Sequence, residues 1–206
     1  MRFFVGLDLG QINDYTAVAV LEDSEVKGDG ERVLHLRHLE RFRHLLYPDV
    51  ADHVEALLER EPLKGNADLV IDATGVGPAV TDIFKKRGRR FKAIKIHGGD
   101  TETRGEDGSR RVPKRNLVSA LQVLLQSGRL RIAEGLELAP TLREELLNFR
   151  VKVNISTAHD TYEAWREGDH DDLVLAAALA AWGASKAISP CAPILVGRKT
   201  SYWRRI

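Results

Sequence analysis

Four aspartates stand where chemistry is easiest to build: Asp8 at the end of the apolar run RFFVGLDL, Asp72 at the end of DLVIDA, and Asp171 with Asp172 ahead of LVLAAALAAW. Carboxylates that converge from separate elements offer hard oxygen donors to Mg²⁺ or Mn²⁺ and leave positions open for phosphate oxygens and water. Two such ions, roughly 4 Å apart, activate an attacking water and stabilise the leaving oxygen of a phosphodiester. The chemistry these residues point to is hydrolysis of a nucleic-acid backbone. Plainer roles are open to each of them. Asp8, with Gly10, Asn13 and Asp14 close behind, suits a turn, and Asp171 and Asp172 suit the positive end of a helix. Asp72 is harder to explain that way, because strands are depleted in Asp unless something rewards it. Adjacent helical residues point about 100° apart, so one of Asp171 and Asp172 is expected to bind metal directly and the other to serve a second site or the outer shell. His170 has three roles open to it: helix cap, helper near the scissile phosphate, or surface residue.

For these acids to meet, the elements that carry them must lie side by side. Residues 2–9 read as a strand ended by turn punctuation, residues 15–21 return, and residues 33–42 alternate as a half-exposed third strand. Helical spacing over residues 48–60 places Val50, Val54, Leu57 and Leu58 on one face, with Pro48 at the opening. A buried strand follows at 68–73, a helix at 76–86 and a short strand at 91–96. If the first helix is a crossover between parallel neighbours, Asp8 and Asp72 end adjacent strands at their carboxyl ends, where open α/β sheets place their sites.

Residues 97–112 (HGGDTETRGEDGSRRV) are Gly-rich and charged without apolar periodicity, which predicts a long loop of the functional kind. Pro113 opens an amphipathic helix through Gln126, and a second helix spans about 138–148. Residues 149–155 read as an exposed strand in a hairpin with a partner near Thr161, and the last helix is expected to start near 169–171. Residues 1–188 are read as one domain and 189–206 as an irregular tail.

Composition bounds the partners. Thirty-one Lys plus Arg stand against 30 Asp plus Glu, so no global positive field advertises nucleic acid and any DNA contact must be local. One cluster holds Lys85, Lys86, Arg87, Arg89, Arg90, Lys92 and Lys95, and reads as a solvated face. A second, Arg104, Arg110, Arg111, Lys114 and Arg115, flanks the predicted loop and is the better candidate for phosphate contacts, which fix position without reading bases. Cys191 is the single cysteine, which rules out an internal disulfide and disfavours a cysteine-rich zinc site. With neither a leader-like start nor an apolar run near about 18 residues, a soluble protein that stays in the cytoplasm is expected.

In order and spacing, GLDLGQINDYTAVAVLE, VIDATGVGPAV, VPKRNLVSALQVLLQSGRLRIAE and GDHDDLVLAAALAAW resemble the C-terminal nuclease domain of phage terminase large subunits, over roughly residues 3–185. The resemblance implies an α/β fold of the RNase H-like kind: a mixed five-stranded sheet in the order 3-2-1-4-5, flanked by helices, with an extra hairpin before the last helix. It implies endonucleolytic cutting of concatemeric viral DNA during packaging, with two Mg²⁺ or Mn²⁺ ions. Asp8, Asp72 and Asp171 match the family's three acidic motifs, and Asp14 and Asp172 match acids seen in some members. The implied partners are double-stranded DNA, the terminase ATPase domain, the small terminase subunit and the portal, in the cytoplasm of a bacterial host; alone, the chain is expected to be a monomer. These 206 residues contain no G-x-x-x-x-G-K-[ST] loop, so the resemblance covers the nuclease and not the motor.

Three other readings stay open at this level. A RuvC-like resolvase shares the metal chemistry and differs in substrate. GLDLG followed by a hairpin also opens one lobe of actin-like and sugar-kinase ATPases, although no second Gly-rich phosphate loop follows. A DNA-binding module without catalysis would have little reason to keep clustered carboxylates, whose repulsion needs a cation to offset it.

Overall fold

The apolar residues Phe3, Phe4, Val5 and Leu7 build β1 (Arg2–Asp8), buried throughout after Arg2, and the other strands are laid on either side of it. The computed structural model describes residues 1–10, 14–26, 31–75, 77–148 and 171–187. β2 (Thr16–Val26) and β3 (Arg32–Phe42) return as an antiparallel meander. α1 (Tyr47–Leu58), with Pro48 in its first turn, crosses one face, and β4 (Ala67–Asp72) enters parallel to β1. α2 (Gly77–Lys86) and β5 (Lys92–His97) repeat the crossover, again with a parallel pairing. The predicted order 3-2-1-4-5 is present as the middle of the sheet.

The sheet continues at both margins, where the sequence reading falls short. Within the stretch read as a loop, β6 (Thr103–Arg104) and β7 (Arg110–Pro113) form; β7 lies parallel to β5, and β6 runs antiparallel outside it. α3 (Lys114–Gln126) follows directly, and β8 (Leu130–Ile132) adds parallel to β3. Among the described residues, eight strands in the order β6-β7-β5-β4-β1-β2-β3-β8 therefore replace the expected five. The cause is length: a strand of two to four residues shows too few side chains to establish a period of two. Only Val112 and Pro113 of β7, and Leu130 of β8, are buried.

Helices cover both faces. Phe3, Val5, Leu7, Val18, Val20 and Ile71 point toward α1 and α2, and their alternating neighbours pack under α3, α4 (Ala139–Asn148) and α5 (Asp172–Lys186). In α5 every residue from Leu173 to Ala184 is buried, as expected of a helix that is apolar all round. Its small side chains let it approach β1 so closely that a Cβ at Gly6 would collide with the carbonyl oxygen of Ala176. The hairpin expected at 149–155 and Thr161, together with His170 and the tail 189–206, lies outside the described residues. Among the described residues, no helix is long and apolar enough to cross a membrane.

Candidate active site

The pairing of Leu7 with Ile71 leaves Asp8 and Asp72 as neighbours at the carboxyl ends of two parallel strands. Asp8 is 7% exposed. Burial pushes its pKa well above the usual carboxylate range, the negative charges of Asp72, Asp172 and Asp171 push it further, and Lys114 pulls it back. Asp72 is also raised by burial, against hydrogen bonds from Thr74 that favour its charged form.

Local structure explains how Asp72 is held. The Thr74 backbone N–H donates to Asp72 Oδ1 at 2.7 Å, and the Thr74 hydroxyl accepts from the Ile96 N–H at 2.8 Å, tying the end of β4 to β5. α2 starts so near that a Cβ at Gly77 would stand 2.5 Å from the Asp72 carbonyl oxygen, so glycine is required there. Thr74 lies in the motif VIDATG; the signal that finds it is the turn an Asp makes with the amide two residues on.

Asp171 is the N-cap residue of α5, and its side chain makes no capping hydrogen bond. Its Oδ2 instead accepts from Lys114 Nζ at 2.7 Å, with the two side chains only 21% and 13% exposed. Asp172 opens α5 and adds its charge to the field at Asp8. Lys114 arrives because β7 runs parallel to β5 and hands the chain to α3 at the same edge. Expected among DNA contacts, Lys114 stands inside the acidic group. The structure thus gathers Asp8, Asp72, Asp171, Asp172 and Lys114. Asp14 is not drawn in: it is exposed and lines a cleft of about 180 Å³ with Gly10, Thr16, Phe42 and Arg43.

One acid escaped the sequence reading. Glu145, on α4, is buried and accepts the N–H groups of Leu173 and Val174 on Oε2 at 3.0 and 3.2 Å. Its Oε1 accepts from Arg41 Nη1 at 3.0 Å. Burial pushes its pKa up to about 7, with Asp172 adding repulsion and the hydrogen bonds and Arg41 opposing. Nothing local marks it: TLREELLN offers two adjacent glutamates, and tertiary packing selects one.

The donor set is oxygen-rich and mutually repelling, which suits a hard divalent cation. As the side chains stand, no three acids, histidines or cysteines among the described residues close around one point. The donors suit such an ion by chemistry and by charge, and holding it calls for side-chain adjustment.

The two basic clusters are placed differently. In the first, Arg87 bonds Asp52 and Glu55 at 2.6 and 2.9 Å, Arg89 bonds Glu59 at 2.7 Å, and Lys95 bonds Asp107 at 2.7 Å. Most of that charge is neutralised within the chain. In the second, Arg115 pairs with Asp100 at 2.7 Å and Arg110 more loosely with Glu102 at 3.9 Å. Arg104 and Arg111 are exposed on the β6–β7 hairpin.

The family described as Terminase RNaseH-like domain matches residues 5–181. No curated protein matches the chain in sequence. Among solved structures, the large terminase nuclease of thermophilic phage G20c with bound magnesium is similar at 25% identity and a TM-score of 0.61, over 88% of this chain and 80% of that one. The g2p (large terminase) nuclease domain of bacteriophage SPP1 with bound Mn aligns at 15% identity and a TM-score of 0.52, over 87% and 85%. The P22 large terminase nuclease domain aligns at 15% identity and 0.52, over 86% and 78%. At that identity the last two speak for the fold alone.

Proposed function

The chain belongs to the terminase RNase H-like domain family, and from that premise we propose that it is a metal-dependent DNA endonuclease, the cutting part of a viral DNA-packaging terminase large subunit. The observation that carries this reading is the meeting of four aspartates at one sheet edge, where three of them raise the pKa of the fourth. Asp8, Asp72 and one or both of Asp171 and Asp172 would hold Mg²⁺ or Mn²⁺, with Asp14, outside that group, a further candidate. Two such ions, when bound, supply activation of water and neutralisation of the charge on the leaving oxygen.

The chain's own part is positioning and charge. Positive charge at the site would favour the ionised forms of Asp8 and Asp72, offsetting the burial and the neighbouring negative charges that raise the Asp8 pKa. Thr74 fixes the Asp72 carboxylate through its amide. Lys114 keeps one cation beside Asp171, which limits repulsion before any ion binds. Arg104 and Arg111, with Arg110 and Arg115 nearby in the chain, hold the phosphates of a duplex, so binding is sequence-independent and weakens with salt. Residues 1–188 form the nuclease domain and 189–206 a tail; the ATPase domain, small subunit and portal are the expected partners, in the host cytoplasm.

The test is cleavage of supercoiled plasmid, linear duplex and a four-way junction with Mg²⁺, Mn²⁺ or EDTA. Both duplex forms are expected to be cut with either metal and spared in EDTA. Asp8→Asn, Asp72→Asn and Asp171→Asn are each expected to abolish cutting with the fold intact by circular dichroism. Wild-type rates in any one variant would remove that residue from the site, and strong preference for the junction would favour the resolvase reading.

A further inference from the structure

The first amides of a helix have no acceptors within it, and an Asp at the N-cap ordinarily supplies one with its own side chain. α5 does not follow this pattern. Asp171 occupies the N-cap and makes no such bond; its carboxylate is turned to Lys114. The missing acceptor comes from another helix: Glu145 Oε2 takes the N–H groups of both Leu173 and Val174. A negative group there also complements the helix dipole. Two adjacent acids, Asp171 and Asp172, thus begin a helix whose capping is done by a third carboxylate.

That third carboxylate is itself anchored. Arg41 bonds the other Glu145 oxygen, and the pair is enclosed, with side chains 18% and 5% exposed. The Arg41 guanidinium lies 4.2 Å from the Tyr15 ring centroid, and Arg43 stacks on the same ring at 4.8 Å. Tyr15 follows Asp14 and precedes β2. A continuous chain of contacts therefore runs from the β1–β2 connection through Tyr15, Arg41 and Glu145 to the first turn of α5.

We infer that Glu145 is a positioning residue: by capping α5 from outside, it releases the Asp171 carboxylate to the acidic group and fixes where Asp171 and Asp172 stand relative to Asp8. Arg41 holds Glu145 in that role. The inference rests on the reading of the acids as a divalent-cation site. Partners of this kind, one step removed from a metal's donors, change affinity by about 10–100-fold when lost.

The experiment measures Mn²⁺ binding to the full chain by titration calorimetry, beside plasmid cleavage and melting temperature. Glu145→Ala is expected to raise the Mn²⁺ dissociation constant about tenfold and to lower kcat, leaving the KM for DNA unchanged. Glu145→Gln, which keeps an acceptor for the two amides, is expected to restore most of the affinity. Leu142→Ala, on the same helix and 1% exposed, is the control for stability alone: it lowers the melting temperature and leaves the Mn²⁺ affinity at the wild-type value. If Glu145→Ala does not fold, Glu145→Asp serves, since its shorter arm withdraws the cap while keeping the charge, and it is expected to weaken Mn²⁺ binding as well. Wild-type affinity in the folded Ala or Asp variant overturns the inference, as does equal loss in Leu142→Ala. Asp8→Asn separates the two ideas. If the wild type binds Mn²⁺ and Asp8→Asn does not, the site stands and only the Glu145 result judges its positioning; if the wild type binds none, both readings fall.

Discussion

At the scale of single residues, the acidic group sets charge against stability. Asp8 has a raised pKa in the folded chain through burial and the charges of Asp72, Asp172 and Asp171. The folded state thus holds a proton that the unfolded state releases earlier. Asp8's contribution favours folding below its ordinary range and is lost as pH rises through the folded value. Without metal, Asp8→Asn is expected to raise the melting temperature at neutral pH by about 2–4 °C, the change that ~1 kcal/mol produces in a domain of this size; addition of Mn²⁺ should erase or reverse that advantage. Glu40 shows the opposite sign. The His38 ring 2.9 Å from its carboxylate, opposed by burial and reinforced by His53, holds its pKa at about 2 against an ordinary 4.5. Its stabilisation is complete above the ordinary value and disappears as pH falls through the lowered one, so Glu40→Gln should flatten the acid limb of unfolding followed by circular dichroism in that window. Asp8 and Asp72 were legible in sequence because each ends an apolar run that stops abruptly, and Asp171 and Asp172 because they stand just ahead of one. Glu145 and Arg41 were not, because the bond between them spans 104 positions and only packing brings them together.

Among elements, legibility followed length. β1 to β5 and the helices α1 to α4 appear within a few residues of where hydrophobic period and punctuation place them, since each shows several apolar side chains in phase. β6, β7 and β8 were invisible for want of such residues, and the cost was mechanistic. With β7 taken for a loop, Lys114 read as a phosphate contact flanking that loop, whereas a strand parallel to β5 carries it to the carboxyl edge. α5 was legible as apolar and buried, but its closeness to β1 was not. That closeness makes Gly6 a sensitive position: Gly6→Ala must push α5 away from β1, and α5 carries Asp171 and Asp172. The expected loss is about 1–3 kcal/mol by urea unfolding, with cleavage reduced more than DNA binding.

Over the whole molecule, near-zero net charge conceals an uneven arrangement. Arg87 and Arg89 are occupied by α1 carboxylates and the residue just after that helix, while Arg104 and Arg111 face solvent on an outlying hairpin. Arg104→Ala and Arg111→Ala should each weaken duplex binding and reduce the slope of log affinity against log salt by about one, as fluorescence anisotropy can measure. Arg87→Ala should leave that slope alone and lower the melting temperature. The sheet's two margins complete this scale. Among the described residues it is bounded by a strand of two residues bearing Arg104 and by one of three residues bearing Arg131. Unsatisfied strand flanks are templates on which further chains add, and brevity with a cationic side chain spoils the template. A domain trimmed in this way can be crowded together in many copies without its sheets fusing end to end into fibrils.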